Sequence, residues 1–327
     1  MRRRRFLMML AGAGILRGPL AAAAAPRRSA RIGRLSPLSA SSEVPMLGGL
    51  RAGLQELGWI EGQNLAFELR FANGQLDRLP ELAADLVRQN VDVIVTGSNP
   101  GALAAKMATA TIPIVFVTTG DPITGGLVTS LSRPEGNLTG VTTLGVELNA
   151  KRLELLKDTL SGLNRIGVLT NPRSPYTEEF ARSREAIARA LAVELHPVEV
   201  RDPAGLAAAF EQLRAARVGA LLVLADIVFV THRQRIIDLA AANRLPAVYP
   251  DQAFINAGGL MFYGSGLPDM YRHAASYVDK ILNGAKPEDL PVEQPTKFSL
   301  VINLKTAKAL GLTIPSSVMF RADQVVE

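Results

Sequence analysis

Six apolar runs in this chain each end in small hydroxyls, amides or carboxylates. Ser36 follows the run Arg31–Leu35, Ser98 and Asn99 follow Val91–Thr96, and Thr118 and Asp121 close Ile112–Thr118. A second series repeats the arrangement. Asn171 and Tyr176 follow Arg165–Thr170, Asp226 follows Gly219–Leu224, and Asp251 follows Pro246–Tyr249. The chemistry such groups offer is recognition. Hydroxyls, amides and the free N–H groups at a helix start attract a carboxylate, and Asp side chains accept from an ammonium. Together they describe a polar cleft for a small zwitterionic or hydroxylated ligand.

The same residue types do not assemble into a reaction centre. Gly97-x-x-x-Gly101 is not followed by the Lys-Ser/Thr of a phosphate loop, and Tyr263-Gly264-Ser265-Gly266 misses the nucleophile elbow by one position. His196, His232 and His273 are scattered, so a histidine-built metal site is not expected. There is no cysteine, hence no disulfide, thiolate ligand, thiol nucleophile or lipidated cysteine anchor. The expectation is a protein that is not an enzyme, with no catalytic residues, no cofactor and no metal.

Positioning groups at strand ends requires strands, and the chain supplies them in two rounds. Strands are expected at Arg31–Leu35, Asn64–Phe71, Val91–Thr96 and Ile112–Thr118, with helices at 45–57, 77–89 and 100–110 between them. The pattern recurs with Arg165–Thr170, Val193–Val200, Gly219–Leu224 and Pro246–Tyr249, separated by helices at 176–191, 203–216 and 231–243. Runs such as Val91–Val95, apolar apart from Asp92, suit strands covered on both faces. The expected fold class is α/β, two doubly wound parallel-sheet lobes joined by a multi-crossover hinge. Ligands of such sheets bind beyond the carboxyl ends of the strands, where the polar groups lie. The tail (a strand at Gly259–Tyr263, a helix at 269–282, extended chain to Val301 and a helix at 304–310) is too small for a third core. It must complete the two lobes, so the first is expected at 31–143 plus about 258–288 and the second at 144–257 plus about 289–327.

With 327 residues, 48% hydrophobic and 20% charged, the chain has ordinary globular usage, which excludes wholesale disorder. The net charge of +6 does not mark a nucleic-acid binder, because Arg2, Arg3, Arg4, Arg5 and Arg17 hold five of those charges. Residues 1–25 read as an export signal: basic start, apolar Phe6–Leu16, then Ala21–Ala25 for the peptidase. Arg3-Arg4-Arg5-Phe6-Leu7 fits the twin-arginine pattern, and an Arg-rich general secretory signal fits the same residues. The apolar stretch is well short of the roughly 20 residues that span a bilayer.

Several stretches carry a family resemblance: Glu61-Gly62-Gln63-Asn64, Asp77 to Ala83, Ile112 to Phe116, Gly120-Asp121-Pro122, Gly136 to Val141, and Gln294 to Lys308. They resemble the periplasmic substrate-binding proteins of ABC transporters, in the group related to tryptophan- and tyrosine-binding proteins. The resemblance implies two type I periplasmic binding lobes with three crossovers, a hinge, a small amino-acid-like or aromatic/polar ligand, and delivery to an ABC permease in the inner membrane. The expected location is the periplasm, with the leader removed, and the expected state is a monomer with no nucleic-acid partner. Ser36–Ser42, the loop after the first strand, holds no aromatic that could stack on an indole. The alternatives are a ligand-binding module of a sensory system and, from another class, a doubly wound enzyme.

Overall fold

The computed structural model describes residues 29–143 and 145–327, and the expected export signal at 1–25 lies outside them. The first sheet is formed by β1 (Ala30–Ser36), β2 (Leu65–Phe71), β3 (Val93–Gly97), β4 (Ile114–Thr118) and β5 (Leu138–Thr142). All five run parallel in the order β2-β1-β3-β4-β5. Helices α1 (Ala40–Glu56), α2 (Leu79–Arg88) and α3 (Asn99–Ala108) connect and cover them. Every residue of β3 and β4 is buried, as a strand with both faces packed requires.

The second lobe begins with α4 (Gly145–Thr159). It continues through β6 (Arg165–Thr170), α5 (Pro175–Leu191), β7 (Glu194–Glu199), α6 (Leu206–Ala215), β8 (Ala220–Val223), α7 (Ile227–Thr231), α8 (Arg233–Ala242), β9 (Ala247–Tyr249), α9 (Gln252–Asn256) and β10 (Met261–Gly264). After α10 (Leu267–Leu282) come β11 (Ser299–Asn303), α11 (Leu304–Ala309), α12 (Ser316–Met319) and β12 (Gln324–Val326). The sheet order is β12-β11-β10-β9-β8-β6-β7, and only the β10–β11 pair is antiparallel among the described strands. The architecture is the expected pair of α/β lobes.

Several details differ from the sequence expectation, β12 and the short α7, α9 and α12 among them. The strand β5 was not foreseen, because Leu138-Thr139-Gly140-Val141-Thr142 is short and glycine-broken. The glycine has a reason: a Cβ at Gly140 would stand 2.0 Å from the Phe116 carbonyl oxygen. The strand near 260, assigned to the first lobe, pairs instead with β9 and β11 of the second. The short excursion through α9 returns the chain beside β9, and the passage to the first lobe comes only at Ser265–Gly266. Finally, α1 begins at Ala40 rather than 45. Ser39 caps it by accepting the Ser42 N–H at 3.3 Å, and Pro45 is tolerated inside.

The helix α10 belongs with the first lobe. Met270, Tyr271, Ala274, Ala275, Tyr277, Val278 and Ile281 join the core cluster of Leu50 and Leu54 from α1. Glycines set that approach, since a Cβ at Gly49 would lie 2.1 Å from Pro268 O and one at Gly53 2.5 Å from Arg272 O. The chain returns through Glu293, which exchanges backbone hydrogen bonds with the end of β5 (Thr142 N–H to Glu293 O, 2.9 Å; Glu293 N–H to Gly140 O, 3.1 Å) before entering β11. Three passages therefore join the lobes: after β5, after β10 and after Glu293.

Candidate functional site

Between the lobes lies a cavity of about 200 Å³, bordered by the carboxyl ends of β1 and β3 on one side and of β6, β8 and β9 on the other. Ser36, Ser98 and Asn99 line it from the first lobe, and Asn171, Tyr176, Asp226 and Asp251 from the second. Each sits where its strand stops and the next helix starts, which is why strand-end reading found them.

Their chemistry is uneven. The Ser36 hydroxyl donates to Glu43 Oε2 and accepts the Leu38 N–H at 3.1 Å, so it shapes its own turn. Ser98 stands at φ +67°, ψ 160°, a backbone conformation that L side chains rarely adopt. Such strain persists only where the surroundings impose it. Here Gly97 is pressed against Tyr271, whose hydroxyl would be 2.2 Å from a Cβ at that position. The Ser98 Oγ accepts the Gly101 N–H at a long 3.4 Å, a weak cap that leaves the hydroxyl free to turn. Asn99 is buried, and its Oδ1 has no partner among the described residues.

On the opposite face Asp226 caps α7. Its Oδ1 accepts the Val228 N–H at 2.8 Å and its Oδ2 accepts Asn171 Nδ2 at 3.1 Å. Asn171 is held in turn, its Oδ1 taking the Arg173 N–H at 3.0 Å. Asp251 caps α9 through Oδ1 and the Ala253 N–H, 2.7 Å, and its second oxygen has no hydrogen-bond partner among the described residues. Burial pushes both carboxyls above the ordinary range. The Asn171 and backbone donors oppose it at Asp226, and the Ala253 N–H with the nearby Arg233 and Arg152 opposes it at Asp251. Desolvated carboxylates of this kind favour a cationic ligand group, which restores the charge balance.

Two expected ligand contacts are corrected. Asp121 does not line the cavity: its Oδ1 accepts the Ile123 N–H at 2.8 Å and its Oδ2 the Thr124 hydroxyl at 2.9 Å, a self-capped turn. Thr118 lies outside it as well, its hydroxyl 2.9 Å from the Tyr176 hydroxyl. That contact bridges the lobes. Tyr176 also packs a ring face on Gly120, where a Cβ would stand 2.0 Å from Cε1. On the far side of the cavity Ile227 and Val230 of the second lobe pack against the first lobe's core cluster. The lobes are closed on each other.

The sequence reading missed the ion pair that borders the cavity from below. Arg34 Nη2 bonds Glu43 Oε1 and donates to the Tyr271 hydroxyl at 2.7 Å; Nη1 donates to the Leu35 and Val95 carbonyls at 2.6 and 3.2 Å. The guanidinium also lies over the Tyr271 ring, 4.7 Å from its centroid. Both charged side chains are 1% exposed. An arginine inside a buried strand was a signal for a buried counter-charge, but a helix started at 45 left Glu43 in a loop. At the mouth Arg173 and Arg201 face the opening from the second lobe.

Among the described residues no group of His, Cys, Asp or Glu is arranged to hold a metal, and none of their helices is long and apolar enough to cross a membrane. Comparison with known proteins agrees with a binding cleft. A tyrosine-binding protein of Clostridioides difficile (strain R20291) is 26% identical over 265 residues, covering 81% of this chain and 76% of that protein. A conserved domain protein from Vibrio cholerae O1 biovar El Tor superposes with a TM-score of 0.85 at 28% identity, covering 91% of this chain and all of that one. An ABC domain from Streptococcus pneumonia, solved in complex with L-Trp, gives 0.84 at 26% identity with the same coverage. The family model of ABC transporter substrate binding proteins matches residues 31–326, from the first strand to the last, and the chain belongs to that family.

Proposed function

We propose that the protein is the solute-binding component of an ABC importer that closes its lobes over a small amino-acid-like zwitterion. It is exported by its leader, works as a monomer in the periplasm, and presents the ligand to a membrane permease. The observation that carries this reading is the polarity of the cavity. One face offers the Asn99 N–H and the Ser98 hydroxyl at the start of α3, and the other offers the carboxylates of Asp226 and Asp251. A ligand carboxylate pairs with the first and its ammonium with the second. The relatives named for tyrosine and solved with L-Trp bind ligands with that head group. The ligand touches both lobes only when they are closed, so binding drives closure.

The test is a thermal-shift and calorimetric survey of the common amino acids. At about 100 times Kd the correct ligand adds roughly 2.7 kcal/mol of stability. An absence of any shift across the whole set overturns the reading.

A further inference from the structure

Resting on the amino-acid reading above, we infer that the side-chain end of this cleft selects an aliphatic amino acid of leucine or methionine size, and not an aromatic one. Three observations carry it.

The first is the wall. From the first lobe Leu38, Met46 and Leu76 face the cavity; from the second come Ile227, Val228 and Val230, on the helix that Asp226 caps. The carboxylate that takes the ammonium is thus followed directly by an aliphatic ridge. A side chain leaving that head group runs along Cβ-branched and thioether surface, which suits a flexible or branched alkyl chain.

The second is the state of the aromatics. Tyr176 and Tyr271 are the aromatic side chains bordering the cavity among the described residues, and both are engaged. Tyr271 is buried with the Arg34 guanidinium on its ring, and its hydroxyl takes a bond from Arg34. Tyr176 lies with one ring face against Gly120 and is bonded to Thr118. Each ring thus has one face already packed, so ring stacking, worth about 0.5–1.5 kcal/mol beyond area, has at most the opposite face to use. The acceptors nearby, Glu43 and Ser36, are bonded to Arg34 and to each other, so an indole N–H entering here competes for partners already taken.

The third is size. The lobes touch through Thr118 and Tyr176, and Ile227 and Val230 pack on the first lobe, so the cavity of about 200 Å³ is that of the closed form. A dry cavity of about 150 Å³ accommodates benzene, so by that scale this one holds about eight or nine non-hydrogen atoms. Leucine and methionine match that count. Tryptophan exceeds it by more than half.

The experiment is calorimetry on the full chain with L-leucine, L-isoleucine, L-methionine, L-tryptophan, L-tyrosine and glycine. The best aliphatic ligand is expected to bind about tenfold or more tighter than either aromatic one and than glycine. In Met46→Ala, which widens the slot, that ratio should shrink. Tryptophan or tyrosine binding as tightly as every aliphatic overturns this inference while leaving the amino-acid reading intact, as does glycine matching leucine. Failure of all amino acids to bind overturns both.

Discussion

On the first lobe the charged groups bordering the cleft are bonded to one another: Arg34 to Glu43, Glu43 to Ser36, Arg34 to Tyr271. On the second lobe the hydrogen bonds to Asp226 and Asp251 all come from amide N–H groups, and both carboxyls are desolvated, with Arg233 and Arg152 near Asp251. Such a network fixes shape; most of its bonds are already made, and of the Arg34 donors only Nε has no partner among the described residues. Carboxylates held only as helix caps are fixed in position and keep capacity for a further cation. The first lobe therefore sets the geometry of the cleft, and the second leaves two desolvated carboxyls facing it.

The largest effect expected from this contrast is on folding. Glu43→Ala leaves the Arg34 guanidinium buried and unpaired, at a cost of about 3–5 kcal/mol. Chemical denaturation should record that loss. A change below about 1 kcal/mol would mean that water reaches Arg34.

Asp226→Asn probes the other face. Asn also caps helices, so stability should move by less than about 1 kcal/mol. The charge-assisted bond to an ammonium is worth about 1.5–3 kcal/mol, so affinity should fall roughly ten- to a hundredfold. The pH dependence follows from the sign of the shift. The folded, ligand-free carboxyl sits above its ordinary 3.8, so it takes up a proton as pH falls through the raised value and loses its attraction for the ligand cation. Affinity should weaken on acidification, less so in Asp226→Asn, where only Asp251 retains the effect. Stability of the empty protein runs the other way. The contribution of these groups is full below the ordinary carboxylate value and fades as pH rises through the folded one. Calorimetry and melting at matched pH values check both halves.

The smallest effect sharpens the role of Ser98. Glycine adopts positive φ without strain, so Ser98→Gly should gain up to about 1 kcal/mol. Ser98→Ala keeps the strain and loses the cap, a loss of up to about 1 kcal/mol. Both remove the hydroxyl and should weaken ligand binding by roughly tenfold. If affinity is unchanged in both, the hydroxyl serves only its helix.

Much of the fold was legible because two-sided burial leaves a local mark. Val93-Ile94-Val95 and Ile114-Val115-Phe116-Val117 can be little else than covered strands, and Ser98 and Asn99, after the first of them, fall at the cleft by topology alone. What could not be read locally was pairing. Nothing in Met261–Gly264 says that it lies beside β9 rather than in the first sheet, and the face that Asp121 presents depends on which hydrogen bonds its own turn offers.

By itself, then, the sequence determined the alternation of strands and helices, the two rounds of it, and most of the strand-end positions that border the cleft. These follow from periodicity and from the strand-to-helix switch, which act over a few residues. Tertiary structure decided which of those positions keep free capacity. Arg34, Glu43 and Tyr271 are 9 and 237 residues distant along the chain, and only packing brings them together to satisfy one another. Thr118 and Tyr176, 58 residues apart, became a contact between lobes by the same route. Desolvation and hydrogen-bond satisfaction are sums over all neighbours, and the neighbours are known only once the chain has folded.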